Sequence, residues 1–244
     1  MKVALAFWGI TRSLKYTIES IKTMILDSLK EANIDYDIYM HTYSMSSYKN
    51  IRTREIANAI DNDEYKLLNP THIVIEDQDA VKARLNLLQY RTHRDPWNSQ
   101  YNSVDNFLLA MYSKSELTKM IKTEYDYIIF LRPDVRYIDK FDPNWCTLAT
   151  DNSIVIPNFH TNHTPLIKIN DRFAITTMKT YKMYGDIFDQ LLPISRVRTL
   201  HSEEIIGKNL YDNKCKTIVA PFRFQRVRVD GSTERRDIVI KLGS

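Results

Sequence analysis

An α/β fold, one continuous domain over residues 1–244 with a mostly parallel central sheet and helices on both faces, is predicted by three features of the sequence. Lys2–Trp8 is an apolar run too short for a helix and closed by Gly9, the pattern of a buried strand. Residues 13–32 carry Ile18, Ile21, Ile25 and Leu29 at helical spacing, a single apolar stripe along a long helix. Residues 36–42 then form a second strand. Strand, helix and strand of these lengths make a βαβ unit, which requires a parallel pair.

The remaining elements follow in order. Thr11 or Ser13 is placed to cap the first helix. A weaker helix is predicted over residues 54–62, a strand over 71–76 and a helical stretch over 80–90. Residues 93–103 hold Pro96 and Trp97 and read as a loop. A long helix spans 104–122, its buried side supplied by Phe107, Leu108, Met111, Leu117 and Ile121. Ile128–Leu131 is a fully apolar strand, stopped by Arg132-Pro133-Asp134 because proline lacks the ladder donor. Later come a strand at 154–156, a polar loop at 157–165, helices at 177–191 and 202–211, and strand-like alternation from Thr217 onward. Neither repeats nor linkers interrupt the chain.

Composition sets bounds. The chain is 43% hydrophobic and 26% charged, the balance of a globular protein with a core. Its net charge of +4 is spread along the chain, so nucleic acid is not an expected partner. The arginine-rich tail between Arg223 and Arg236 is expected to be a solvated strand face, with a short phosphate-contacting patch as the alternative. Cys146 and Cys215 lack CxxC partners and cannot form a disulfide framework, which points to a reducing compartment and a cytoplasmic protein. No apolar run approaches the ~20 residues of a bilayer span. The residues after Trp8 do not have the shape of a secretory signal. The sequon Asn162-His163-Thr164 is accordingly expected to be chance.

Chemistry concentrates at strand ends. Ligands of open α/β sheets bind at the carboxyl edge, so Gly9-Ile10-Thr11-Arg12 and Arg132-Pro133-Asp134 both fall where a ligand is expected. Gly9 allows close approach, Thr11 can donate a hydrogen bond, and Arg12 and Arg132 can meet phosphate in forked geometry. A carboxylate at a strand end, Asp134, can hold a divalent cation through oxygen; its plainer reading is a turn in which Arg132 and Asp134 bond to each other. Asp77-Gln78-Asp79 reads as a helix start, because acids are favoured in a first turn. Asp171 can be a general base or a helix cap, and Glu203 and Glu204 open another helix. His160, His163 and His201 lack metal-ligand spacing. The GxGxxG, GxxxxGK[ST] and GxSxG patterns are absent.

Taken together, Val3–Arg12 (VALAFWGITR), Tyr36–Tyr43 (YDIYMHTY), Tyr125–Val135 (YDYIIFLRPDV) and Asn170–Ala174 (NDRFA) resemble, in order and spacing, GT-A-type glycosyltransferases of large DNA viruses, including chloroviruses that build capsid glycans, and of bacterial polysaccharide synthesis. The likeness covers roughly residues 1–210. It implies a Rossmann-like GT-A domain whose first half, 1–135, binds a nucleotide-diphosphate sugar and whose second half, 136–244, binds a glycan acceptor. Gly9, Thr11, Arg12, Thr42, Tyr43 and Arg132 would contact the nucleotide sugar, and Asp134 a manganese or magnesium ion. Asp171 would act as base, with Glu203 or Glu204 as the alternative. The implied donor is a UDP-sugar such as UDP-xylose, and the implied outcome is inversion. The sequence departs from the family's Asp-x-Asp pair in one place: Arg132 stands where the first acid belongs, so metal binding rests on a single carboxylate. The rival readings are a silent sugar- or protein-binding domain of the same fold and a Rossmann-like methyltransferase, which the single Gly9 supports poorly.

Overall fold

The computed structural model describes residues 1–159, 161 and 167–233. Strand β1 (Lys2–Trp8) leads into α1 (Leu14–Ile21), which continues through a π-helical turn (Lys22–Leu26) into α2 (Asp27–Glu31). The predicted helix is therefore present, with one wider turn inside it. Neither candidate cap works through its side chain: the Ser13 hydroxyl donates to the Val227 carbonyl, while the Thr11 carbonyl accepts from Leu14 N–H at 2.9 Å. Strand β2 (Asp35–Ser44) returns parallel to β1.

The helix expected over 54–62 is not formed. A hairpin of β3 (Tyr48–Asn50) and β4 (Glu55–Ala57) stands there, followed by a 3-10 turn (Glu64–Leu68). The reason is tertiary: Glu55 is buried as the anion for two arginines, and extended backbone delivers it to them. Edge strand β5 (His72–Asp77) runs into α3 (Gln78–Leu85), and Asp77 caps that helix by accepting from Ala80 N–H at 2.7 Å. The expected start at Asp77 is thus observed. A 3-10 turn (Leu87–Tyr90) follows, and the expected loop then wraps around Asp95, whose carboxylate accepts from the N–H groups of Trp97 and Tyr101, each at 3.0 Å.

Helix α4 (Asn102–Met120) precedes β6 (Tyr127–Leu131), β7 (Val135–Tyr137), β8 (Ser153–Pro157) and β9 (Ala174–Thr176). The helix expected over 177–191 is divided into α5 (Tyr181–Gly185), a 3-10 turn (Phe188–Gln190) and α6 (Leu191–Val197). Gly185 lies where α5 meets α4 and the sheet. A Cβ there would come within 2.7 Å of both Phe130 Cζ and Thr118 Cγ2, so Gly185→Ala is expected to destabilise the fold by about 1–3 kcal/mol through overpacking. Urea melts measure it; an unchanged midpoint would show that this contact yields freely. Helix α7 (Ser202–Asp212) and strands β10 (Lys216–Ala220) and β11 (Phe224–Arg226) complete the order.

The central sheet has seven strands in the order β10-β8-β9-β6-β1-β2-β5. All its pairings are parallel except those of β9, which opposes both β6 and β8. Successive side chains of a strand point to opposite faces, and β1 shows the consequence. Val3, Leu5 and Phe7 pack with Ile18, Ile21, Ile25 and Leu29 of the first helical stretch. Ala4, Ala6 and Trp8 pack with Leu108 and Met111 of α4 and with Tyr184 and Ile206 of α5 and α7. Burial on both faces is why β1 reads as a continuous apolar run.

From β1 the chain moves outward to β2 and β5, then returns to the other side of β1 as β6. The order therefore reverses between β1 and β6, and such a switch point opens a crevice at the strands' carboxyl ends. Trp8 and Leu131 are those ends. A second small sheet, β11 antiparallel to β7, sets Arg226 opposite Val135 and so beside the turn after β6. No helix among the described residues is long and apolar enough to cross a membrane.

Candidate active site

A cavity of about 960 Å³ opens at this switch point. Of the residues singled out in the sequence, Gly9, Arg12, Tyr43, Arg132, Asp134, Asp171 and Glu203 line it. Thr11 and Thr42 are buried behind the wall, and Glu204 points elsewhere, 3.7 Å from Arg198. The histidines His160 and His163 and the sequon lie outside the described residues, as do Arg235 and Arg236. Arg226 and Arg228 are not on a solvated strand face as expected: the β11–β7 pairing turns them into the cavity wall.

Part of the cavity lining is an alternating row of charges. Arg132 grips Asp134 with two parallel bonds, Nε to Oδ1 at 2.6 Å and Nη2 to Oδ2 at 2.5 Å. Arg12 Nη1 reaches the same Oδ2 at 3.1 Å, and its Nε reaches Glu55 Oε2 at 3.3 Å. Glu55 in turn accepts from Arg228 Nη1 at 3.1 Å and from Val229 N–H at 3.0 Å. The Arg12 guanidinium lies over the Tyr48 ring at 4.5 Å, and that of Arg132 over Trp8 at 5.1 Å. Burial works against the Asp134 charge, yet Arg132 and then Arg12 outweigh it and hold the carboxyl down at about 2. In all, seven arginines and three carboxylates line the cavity, so its field is strongly positive.

A divalent cation does not fit at Asp134. Both carboxylate oxygens are taken by guanidinium N–H groups, and Arg226 adds a third positive field. Among the described residues no cluster of three His, Cys, Asp or Glu side chains could hold a metal ion. The plainer reading of the Arg-Pro-Asp turn, arginine bonded to aspartate, is what the geometry shows, and the pair is a cavity wall as well.

Adjoining this row, with the Trp8 ring shared between Arg132 and Lys114, the lining holds carboxyl groups beside a buried lysine. Lys114, fully buried, donates from Nζ to the Asp171 carbonyl at 2.7 Å and lies near the Trp8 and Tyr184 rings at 4.4 and 4.2 Å. Burial pulls its ammonium down to about 7 against the field of Asp171. Asp171 is not a helix cap, since α5 begins ten residues later. Burial would lift its carboxyl, but Arg172 and Lys114 hold it low. Glu203 goes the other way: burial first, and the negative charge of Asp171 second, raise it to about 7. Two carboxyls driven in opposite directions divide the roles of anion and proton carrier. Trp97, stacked on His201 at 5.9 Å, flanks this side.

The Gly9 turn belongs to the same lining and is anchored from below. Gly9 adopts φ +95°, and its N–H donates to Ser113 Oγ at 2.9 Å. Ser113 also contacts His41 Nδ1 at 2.9 Å, and His41 Nε2 meets Glu76 at 3.0 Å. Serine, histidine and glutamate stand in the order of a nucleophilic triad, but Ser113 is fully buried and its hydroxyl is engaged with the backbone. It is a strut. Ser113→Ala would strand the Gly9 N–H and one imidazole nitrogen, and is expected to destabilise the fold by about 1–3 kcal/mol; chemical denaturation checks this, and no loss would remove the strut.

Sequence reasoning missed Lys114, Glu55, Tyr48, Ser113 and Trp8 as site residues. Lys114 had a visible signal: it follows Met111 by three residues on the apolar stripe of α4, where a lysine must find buried partners. Glu55 and Tyr48 had none, because they reach the site only through the unexpected hairpin.

No protein-family model matches the chain, and no curated protein matches it. Among solved structures of similar chain path are the galactosyltransferase LgtC in complex with donor and acceptor sugar analogs and mouse xyloside xylosyltransferase 1 in its apo form. LgtC is 11% identical, with 89% of this chain and 73% of that one covered at a TM-score of 0.49. The xylosyltransferase is 11% identical, with 90% and 85% covered at 0.41. An active-site mutant of LgtC is 13% identical, with 89% and 72% covered at 0.48.

Proposed function

We propose that the chain is a glycosyltransferase, moving a sugar from a nucleotide-diphosphate sugar to a hydroxyl of a glycan acceptor. The observation that carries this reading is that one switch-point cavity is lined by an arginine wall and, next to it, by a carboxylate wall. A sugar diphosphate suits the first wall, because guanidinium groups neutralise the charge that grows on a departing diphosphate. An acceptor hydroxyl suits the second, because it must lose a proton as it attacks. The anomeric carbon's bond to the diphosphate oxygen breaks, its bond to the acceptor oxygen forms, and the acceptor proton passes to a carboxylate. Asp171 and Glu203 are that pair. The reaction is taken to invert configuration, which requires the carboxylate to meet the acceptor hydroxyl on the face of the sugar away from the diphosphate.

In this reading residues 1–135 bind the donor and 136–244 the acceptor, as two halves of one domain. Gly9 lets the diphosphate approach the backbone, Arg12 and Arg132 face its oxygens, and Tyr43 borders the nucleotide. The viral likeness of the sequence motifs points to a UDP-sugar, UDP-xylose among them. The test is a binding and turnover panel of UDP-, GDP- and other nucleotide sugars with candidate acceptors. Specific binding raises the melting temperature by mass action, and turnover releases the nucleoside diphosphate. Binding without release points to a silent domain, and S-adenosylmethionine binding in place of nucleotide sugars would remove the reading altogether.

A further inference from the structure

Asp134 is ringed by cations. Arg132 and Arg12 occupy its oxygens, and Arg226 contributes a third positive field from the neighbouring strand. A divalent cation entering here would have to displace three hydrogen bonds from two guanidinium groups and then sit among like charges. Coulomb's law makes that costly in a site of low effective dielectric. An anion meets the opposite situation. Arg132 spends Nε and Nη2 on Asp134, while its Nη1 makes no hydrogen bond among the described residues, and the side chain keeps 22% of its surface open. Trp8 lines the same wall with a buried Nε1–H that also has no partner among the described residues. Along the row, three arginines alternate with two carboxylates.

We propose that this cavity binds the diphosphate of its ligand without a divalent cation, the guanidinium groups of Arg12, Arg132 and Arg226 supplying the positive charge. The inference rests on the reading of the cavity as a nucleoside-diphosphate site. Asp134 is then an internal counter-anion: it holds two arginine forks in place until the ligand arrives and competes with it for their charge. A compact ammonium would not serve equally, because it cannot give Asp134 two parallel N–H groups and keep a further N–H for a ligand oxygen in fixed geometry.

Calorimetric titration of the wild-type chain with UDP and with inorganic pyrophosphate, each in EDTA and in excess manganese, decides the matter. The expected result is binding of both, with affinities in the two conditions agreeing within about threefold. Tightening by manganese of about tenfold or more, or binding only with manganese, would overturn the inference and leave the nucleotide-sugar reading standing. Failure of UDP alone, with pyrophosphate still bound in EDTA, would support metal-free anion capture and remove the nucleotide. Failure of both ligands in both conditions takes down both readings. Asp134→Asn provides a second readout. A metal ligand so changed loses its cation and its anion; a competing internal anion so changed frees two guanidinium groups. The pyrophosphate-induced rise in melting temperature is therefore expected to be larger in Asp134→Asn than in wild type, and a vanished rise in a folded variant would refute the proposal.

Discussion

Glu203→Gln is expected to slow sugar transfer by about two to four orders of magnitude, the usual contribution of a positioned general base, with donor binding unchanged. The same substitution is expected to abolish the acid limb of the pH profile. Glu203 holds its proton up to about 7, because burial and the Asp171 charge both disfavour its ionised form. A base must be empty to accept a proton, so wild-type transfer is expected to rise with pH through about 7. Asp171→Asn removes the like charge that helps to lift Glu203, and the acid limb should then move to lower pH with a smaller loss of rate. If instead Asp171 is the base, the outcomes exchange: Asp171→Asn gives the large loss and Glu203→Gln the small one. The pair titrates as a unit, which is why the two variants must be read together. Equal, slight effects from both would place the base elsewhere.

Stability carries a linked signature of opposite sense to the rate. Glu203 has its folded-state value raised above the ordinary 4.5, so its contribution is full below about 4.5 and is lost as pH rises through about 7. The pH that empties the base is therefore the pH that weakens its pocket. An activity optimum just above the loss of stability is the expected compromise.

How much of this was legible in the sequence depends on whether the signal is local. β1, α1 and β6 declare themselves because their buried faces come from unbroken periodicity within a few residues, and the two turns that follow β1 and β6 inherit their place at the sheet edge. β7 and β9, three residues each, have too little length to show a period and exist through their partners. The β3–β4 hairpin was read as a helix because nothing near Glu55 announces that Arg12 and Arg228, 43 and 173 residues away, will claim its carboxylate. The break after Gly185 has the same origin, since the contact that demands a glycine is with Phe130 and Thr118. At the site, Arg132 and Asp134 are recognisable as a pair at a strand end and Arg12 as a neighbouring cation, but Glu55, which carries the row on to Arg228, is not. Asp134 reads as a metal ligand in the sequence for that reason: a lone carboxylate after a strand looks available until the arginines that surround it are known.

Asp134→Ala is expected to be the most destabilising single substitution at the cavity, by about 3–5 kcal/mol, because it leaves two guanidinium groups in a buried setting without their shared anion. Arg12 is nearly sequestered, with 5% of its side chain exposed, so it cannot recover its loss by turning to water. Protonation is a gentler removal of the same charge. With its carboxyl at about 2 in the fold against an ordinary 3.8, Asp134 contributes stability that is complete above about pH 4 and is lost as pH falls through 2. Its size is about 2 kcal/mol from the shift. That figure lies below the loss for alanine because a neutral carboxyl still fills its space and still accepts hydrogen bonds. Urea melts of wild type and Asp134→Ala between pH 7 and pH 2 separate this group from Asp37, Asp95 and Asp139, which are held low by their own partners in both proteins. The two stability curves should converge on acidification, the gap narrowing most between pH 4 and pH 2. A constant gap would mean that Asp134 is held by packing and not by the charges around it, and the arginine wall would then lack the anion that is argued to align it.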